Sequence, residues 1–185
     1  MEQESTASVP GKRVPILVYH KVDREAPTRF WVSTAAFELQ MEALKELGSE
    51  SLSLERLWRC AHSEEAFPEN PVCITFDDGY ENFSSCAFPI LQKYGFTATV
   101  FLPTAFIGDG VRHVNDWDRS PEERSFRTPH LMWSEVIDLH RCGIEFGAHT
   151  RTHPDLEDLF VQAPEAAKEE IALSRYDPET RLFVH

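Results

Sequence analysis

No two cysteines in this chain stand close enough in sequence to form a chelating pair. Cys60, Cys73, Cys86 and Cys142 are widely spaced and include no C-x-x-C, which argues against a structural zinc site or a thioredoxin-type redox motif. Cys73 lies inside an apolar run and Cys142 near an expected helix end, where buried free thiols are the ordinary reading. Basic residues are scarce. The 18 Lys+Arg against 31 Asp+Glu give a formal charge of −13 with no Lys/Arg cluster, so nucleic acid and anionic membrane surfaces are not the expected partners. No apolar stretch approaches the roughly 20 residues of a membrane span. The opening "MEQESTASVPGKRVPILVYH" lacks the apolar centre of a signal peptide. As written, the chain reads as cytoplasmic, and as cell-envelope or secreted if its first residue is not the natural start. Internal repeats and low-complexity segments are missing too.

What is present is a folding chain. Of 185 residues, 42% are hydrophobic and 11% aromatic, enough for one domain with a core. Residues 1–11 read as a disordered polar tail and 12–185 as the domain. "VPILVY" (14–19) and "VCITF" (72–76) are continuous apolar runs, the pattern of fully buried strands. "TATVFL" (97–102), "IEFG" (144–147) and "RLFV" (181–184) add three more, the last as a fifth strand. Ser33 and Thr34 are good N-caps for a helix with Phe37, Met41 and Leu44 on one face, closed by Gly48. Further helices are expected over 54–61, 83–94, 133–142 and 163–175. Pro89 disturbs the second of these.

Buried strands alternating with helices indicate an α/β fold with a parallel sheet or barrel, in which ligands gather at the carboxyl ends of strands. Asp77 and Asp78 follow one strand; His149 and His153 follow another. On a helical turn, histidines at i and i+4 share a face and can chelate one metal. Two imidazoles and one carboxylate leave coordination positions open, the design of a catalytic rather than a structural site. Zn²⁺ suits this set, as do Fe²⁺, Co²⁺ and Ni²⁺. Adjacent acids raise one another's pKa, and a dication beside them reverses that penalty. One Asp would then be a ligand and its neighbour a base. Taken singly, an H-x-x-x-H pair is as readily a capping pair, and D-D-G an ordinary turn.

"TFDDGY" (75–80) followed by "HTRTH" (149–153) resembles the first two motifs of the polysaccharide deacetylases, the carbohydrate esterase family 4 or NodB-homology domain. "VPILVYHKV", "FPILQKYGFTATVFLP" and "MWSEVIDLHRCGIEFGAHTRTHPDL" extend the resemblance in family order over roughly 14–184. It implies a distorted seven- or eight-stranded (β/α) barrel, incomplete in this chain, acting on an N-acetylated glycan. It assigns Asp77 as general base, and Asp78, His149 and His153 as ligands of one divalent ion. The implied reaction is metal-dependent hydrolysis of an N-acetyl group from an amino sugar, releasing acetate. The metal would polarise the acetamide carbonyl and bring the pKa of bound water from about 15.7 towards about 7, with Asp77 taking the proton. Thr75 and Thr150 are expected to support the backbone and Gly79 to allow a tight turn. Tyr80 is a candidate for the mouth of the site, or is packed. His20, at another strand end, is a second substrate-side candidate.

The family's third motif, an Arg-and-Pro segment, and its late histidine acid have no match here. "FRTPH" (126–130) precedes the histidine pair, and His185 fits no family position. Three explanations stand side by side: a fragment of a longer enzyme, a homodimer that covers an open sheet edge, or a degenerate member that binds metal or glycan without turnover. Residues 103–130 form a long irregular segment expected to shape specificity, with Trp117 and Phe126 as sugar-stacking candidates.

Overall fold

The apolar run that ends at Asp77 lies in the middle of the sheet in the computed structural model, which describes residues 13–26, 29–114, 128–177 and 182–183. In chain order the elements are β1 (Ile16–Tyr19), β2 (Lys21–Asp23), β3 (Trp31–Ser33), α1 (Thr34–Glu46), β4 (Glu50–Leu52), α2 (Leu54–Ala61) and β5 (Pro71–Phe76). They continue with α3 (Phe88–Tyr94), β6 (Thr99–Leu102), α4 (Trp133–Arg141), β7 (Glu145–Ala148), α5 (Leu156–Gln162), α6 (Pro164–Leu173), β8 (Tyr176–Asp177) and β9 (Leu182–Phe183). The expected tail over 1–11, together with Trp117, Phe126 and His185, lies outside the described residues.

Five strands form one parallel sheet, ordered β1-β5-β6-β7 with β4 also paired to β5. Tyr19 stands opposite Phe76, Phe76 opposite Val100, and Leu102 opposite Ala148. Because the pairing is parallel, the strand ends before His20, Asp77 and His149 fall along one edge. That is where an α/β sheet presents its ligands. All six residues of β5 are buried, as a strand flanked on both sides and covered on both faces requires. The core around it draws Phe37 and Met41 from α1, Phe83, Leu91 of α3, and Val136 and Leu139 of α4. Each such side chain contributes about 1.5–3 kcal/mol by leaving water.

β1 departs from the fully buried strand its sequence suggests. Tyr19 packs edge-on against Phe37 with centroids 5.1 Å apart, but Ile16 and Val18 are 50% and 57% exposed. β1 is an edge strand; its Tyr19 side packs on α1, while the side bearing Ile16 and Val18 stays half-exposed. "RLFV" departs as well. Leu182–Phe183 pairs antiparallel with Tyr176–Asp177 in a separate ribbon and does not join the parallel sheet. Among the described residues the sheet is therefore open at β1 and β7.

The helix expected over 83–94 is broken by its proline. Phe83–Ala87 forms a wide turn in which the Phe88 N–H donates to the Phe83 carbonyl, and α3 begins at Phe88 with Pro89 in its first turn. A proline lacks the N–H that a continuous helix would need there, and a first turn does not require it. α1 forms as expected, with Ser33 Oγ accepting from Ala36 N at 3.2 Å. α2 is capped twice. Ser53 Oγ accepts from Arg56 N at 3.1 Å, and the Glu145 carboxylate of β7 accepts from Leu54 N and Glu55 N, each at 2.8 Å. All four cysteines are free; Cys60 and Cys73 are buried, but Cys142, at the end of α4, is exposed rather than buried. No helix among the described residues is long and apolar enough to cross a membrane.

Candidate metal centre

β5 delivers the acids. Thr75 Oγ1 donates to the Leu17 carbonyl at 3.1 Å, and Asp77 N donates to the Tyr19 carbonyl at 2.9 Å. The strand is thus held to β1 until it turns. Asp78 and Gly79 then take left-handed backbone, with φ 70° and 58°. Glycine suits position 79 best. A Cβ there would lie 2.6 Å from Leu102 Cδ2 and 3.2 Å from Ile107 Cδ1, on a backbone that side chains disfavour. The turn is braced by the segment before α4. Leu131 N donates to the Gly79 carbonyl at 2.9 Å, Glu81 N to the Pro129 carbonyl at 2.8 Å, and His130 Nδ1 to the Asp78 carbonyl at 2.8 Å.

β7 delivers the imidazoles, without a helix. His149 N donates to the Leu102 carbonyl at 2.9 Å, and the chain then passes through left-handed Thr150 (φ 62°) and His153 (φ 56°). The helical turn expected for "HTRTH" is replaced by a tight loop closed by His153 N donating to Thr150 Oγ1 at 3.0 Å. A fold-back brings the rings together as well as a helical face would. Their centroids lie 5.0 Å apart.

The two loops meet at Asp78. Its Oδ1 is 3.5 Å from His149 Nε2 and 3.4 Å from His153 Nε2, and the three ligand atoms lie within 4.8 Å of one another. Asp78 is 4% exposed, and Oδ1 is buried without a hydrogen-bond partner among the described residues, a costly state for a carboxylate oxygen unless a cation satisfies it. Zinc–ligand bonds of about 2.0–2.2 Å in a tetrahedron place neighbouring ligand atoms about 3.4 Å apart. The residues therefore fit a divalent cation. Burial pushes His153 below the usual imidazole range, against the pull of Asp78, which favours the neutral ring a metal requires.

Asp77 lies outside the trio. Burial raises its carboxyl above the ordinary range and Asp78 adds to this, while His149 and His20 pull it down. His20 Nε2 stands 3.8 Å from Asp77 Oδ2, its ring against Phe30. His20 thus joins the site. Tyr80 does not lie at its mouth. It is 2% exposed, stacked on His130 with centroids 5.0 Å apart, and lies under Lys21 Nζ at 4.3 Å. The packed alternative describes where the structure puts it. Reading the sequence missed two residues that hold these loops, His130 and Glu170. Nothing marked Glu170 among the surface glutamates of "EAAKEEIAL", yet its carboxylate accepts from Arg151 N, Thr152 N and Thr152 Oγ1.

Residues 64–176 match the profile of a family described as polysaccharide deacetylase. The Bacillus subtilis protein YxkH, which bears the same family name, is 29% identical over 163 residues, taking in 88% of this chain and 50% of that protein. The poly-β-1,6-N-acetyl-D-glucosamine N-deacetylase of Escherichia coli K12 is 30% identical over 137 residues, 71% of this chain and 20% of that protein. A solved Streptococcus pyogenes deacetylase in complex with acetate superposes with a TM-score of 0.70 at 26% identity, covering 88% of this chain and 66% of that one. The chain spans half of the length of the first of these curated relatives and a fifth of the second.

Proposed function

We propose, given that the chain belongs to the polysaccharide deacetylase family, that it hydrolyses N-acetyl groups of amino sugars in a polysaccharide or oligosaccharide, releasing acetate and leaving a free amine. The observation that carries this reading is the convergence of Asp78, His149 and His153 within 4.8 Å, with Asp77 next in the chain. The β-1,6-N-acetylglucosamine polymer named for the Escherichia coli relative is the substrate class to try first.

Asp78, His149 and His153 would hold one divalent cation, Zn²⁺ by preference, with Co²⁺, Ni²⁺ or Fe²⁺ as alternatives suited to the same donors. Such a cation supplies Lewis acidity towards an acetamide carbonyl and acidifies water in its sphere. The chain's own residues move the protons. Asp77 accepts one from the attacking water, a role favoured by a carboxyl held above its ordinary range. The amine cannot leave as an anion, so it needs a proton as the carbon–nitrogen bond breaks. Asp77, protonated by the attacking water, can return that proton to the amine, and His20, facing Asp77 at 3.8 Å, stands on the substrate side. The buried floor of β5 and the stacked Tyr80–His130 pair keep the acids in one orientation.

The test is acetate release from N-acetylglucosamine oligomers with Zn²⁺ or Co²⁺ added, alongside metal analysis of the purified protein. Asp77→Asn should retain metal and release acetate about 10²–10⁴-fold more slowly. A protein that binds glycan and metal yet releases no acetate under any metal would overturn the enzymatic reading.

A further inference from the structure

We propose that Glu170 is a positioning residue for the metal centre: from α6, its carboxylate sets the loop that carries His149 and His153. The inference rests on the metal-centre reading above. It starts from the backbone. Thr150 and His153 both take positive φ, an uncommon backbone for residues with a side chain and a strained one for β-branched Thr150. Between them Arg151 and Thr152 belong to no helix or strand, so their N–H groups need an outside acceptor.

One side chain supplies it. Glu170 Oε2 accepts from Arg151 N at 3.0 Å and from Thr152 N at 2.7 Å, while Oε1 accepts from Thr152 Oγ1 at 2.9 Å. The loop's carbonyls are tied from the other side, by Thr104 N to Thr150 O at 3.3 Å and Ala105 N to Arg151 O at 2.9 Å. The loop is therefore gripped between the segment after β6 and α6, and His153 leaves it where the grip ends. Truncating Glu170 removes the acceptor that the two central amides share among the described residues and spares the core, because α6 packs through Ala167. With the grip gone, His153 Nε2 loses its fixed 3.4 Å approach to Asp78 Oδ1. Outer partners of this kind typically govern about 10–100-fold in metal affinity.

The experiment measures Zn²⁺ affinity of the metal-stripped protein by competition with a chromophoric chelator, for wild type, Glu170→Ala, Glu170→Gln and Asp78→Ala. Glu170→Ala should weaken binding about 10–100-fold and speed amide exchange at Arg151 and Thr152. Glu170→Gln should stay within about threefold of wild type, since one amide oxygen still accepts both N–H groups and the NH₂ can donate to Thr152 Oγ1. A Glu170→Ala protein with wild-type affinity, or one that differs only in melting temperature, would overturn the proposal. So would a Glu170→Gln protein as weak as Glu170→Ala, which would make charge rather than geometry the cause. Wild-type binding that survives Asp78→Ala would instead bring down the metal-centre reading itself.

Discussion

The Asp77–Gly79 turn and the His149–His153 loop bring candidate ligands to one point, but they are built in opposite ways. The turn leaves a strand buried along its whole length and is braced by backbone bonds from residues 129–131 and by a fully buried histidine. The loop leaves an outer strand, keeps its histidines half-exposed, and is held by the half-buried Glu170 on a peripheral helix. Rigidity on one side comes from the core; on the other it comes from a few polar bonds near solvent. Loosening the bracing of the turn should therefore show first as lost stability, and loosening that of the loop as lost affinity at nearly unchanged stability. Replacing the acids themselves acts on the site directly.

Substitutions can break that contrast. Asp78→Ala should abolish metal retention, lowering affinity by more than about 100-fold, since even an outer partner costs 10–100-fold; inductively coupled plasma analysis after dialysis reads this directly. Asp77→Asn, one residue away, should cut acetate release by about 10²–10⁴-fold while the bound metal stays. Gly79→Ala should cost about 1–3 kcal/mol in urea unfolding, through positive φ and contact with Leu102. Thr150→Ala, which removes the acceptor for His153 N, should cost under about 1 kcal/mol, so equal losses from these two would erase the distinction. The smallest effect concerns the thiols of the two sides. Burial, with Glu145 nearby, raises the Cys73 thiol to about 11. At pH 8 it stays protonated and unreactive, so iodoacetamide should label exposed Cys142 and leave Cys73 intact by mass spectrometry.

The turn side was largely legible in the sequence, because a run of apolar residues ending in two acids has few other homes than the centre of a parallel sheet. Ser33 as a cap, Gly48 and Gly79 as left-handed positions, and Pro89 as a disturbance were also readable from residue type. The loop side was not. Thr150 adopts positive φ although nothing in a threonine announces it, so "HTRTH" suggested a helical turn. Glu170 looks like its neighbours Glu165 and Glu169 until the fold brings it to the loop. β2, β3 and β4 are three residues each, too short to carry a period. β1 has the letters of an interior strand but an edge position, which only its neighbours decide.

The carboxylate that finishes α2 belongs to Glu145, 91 residues further along the chain from Leu54. That helix cannot settle its leading amides until β7 has docked, and β7 is the strand that runs into His149. Early and late portions of the polypeptide are thereby interlocked, with a contact of long sequence separation that delays closure but ties both parts into one transition. A proteolytic piece ending ahead of Glu145 would keep the aspartates yet carry α2 with a frayed start.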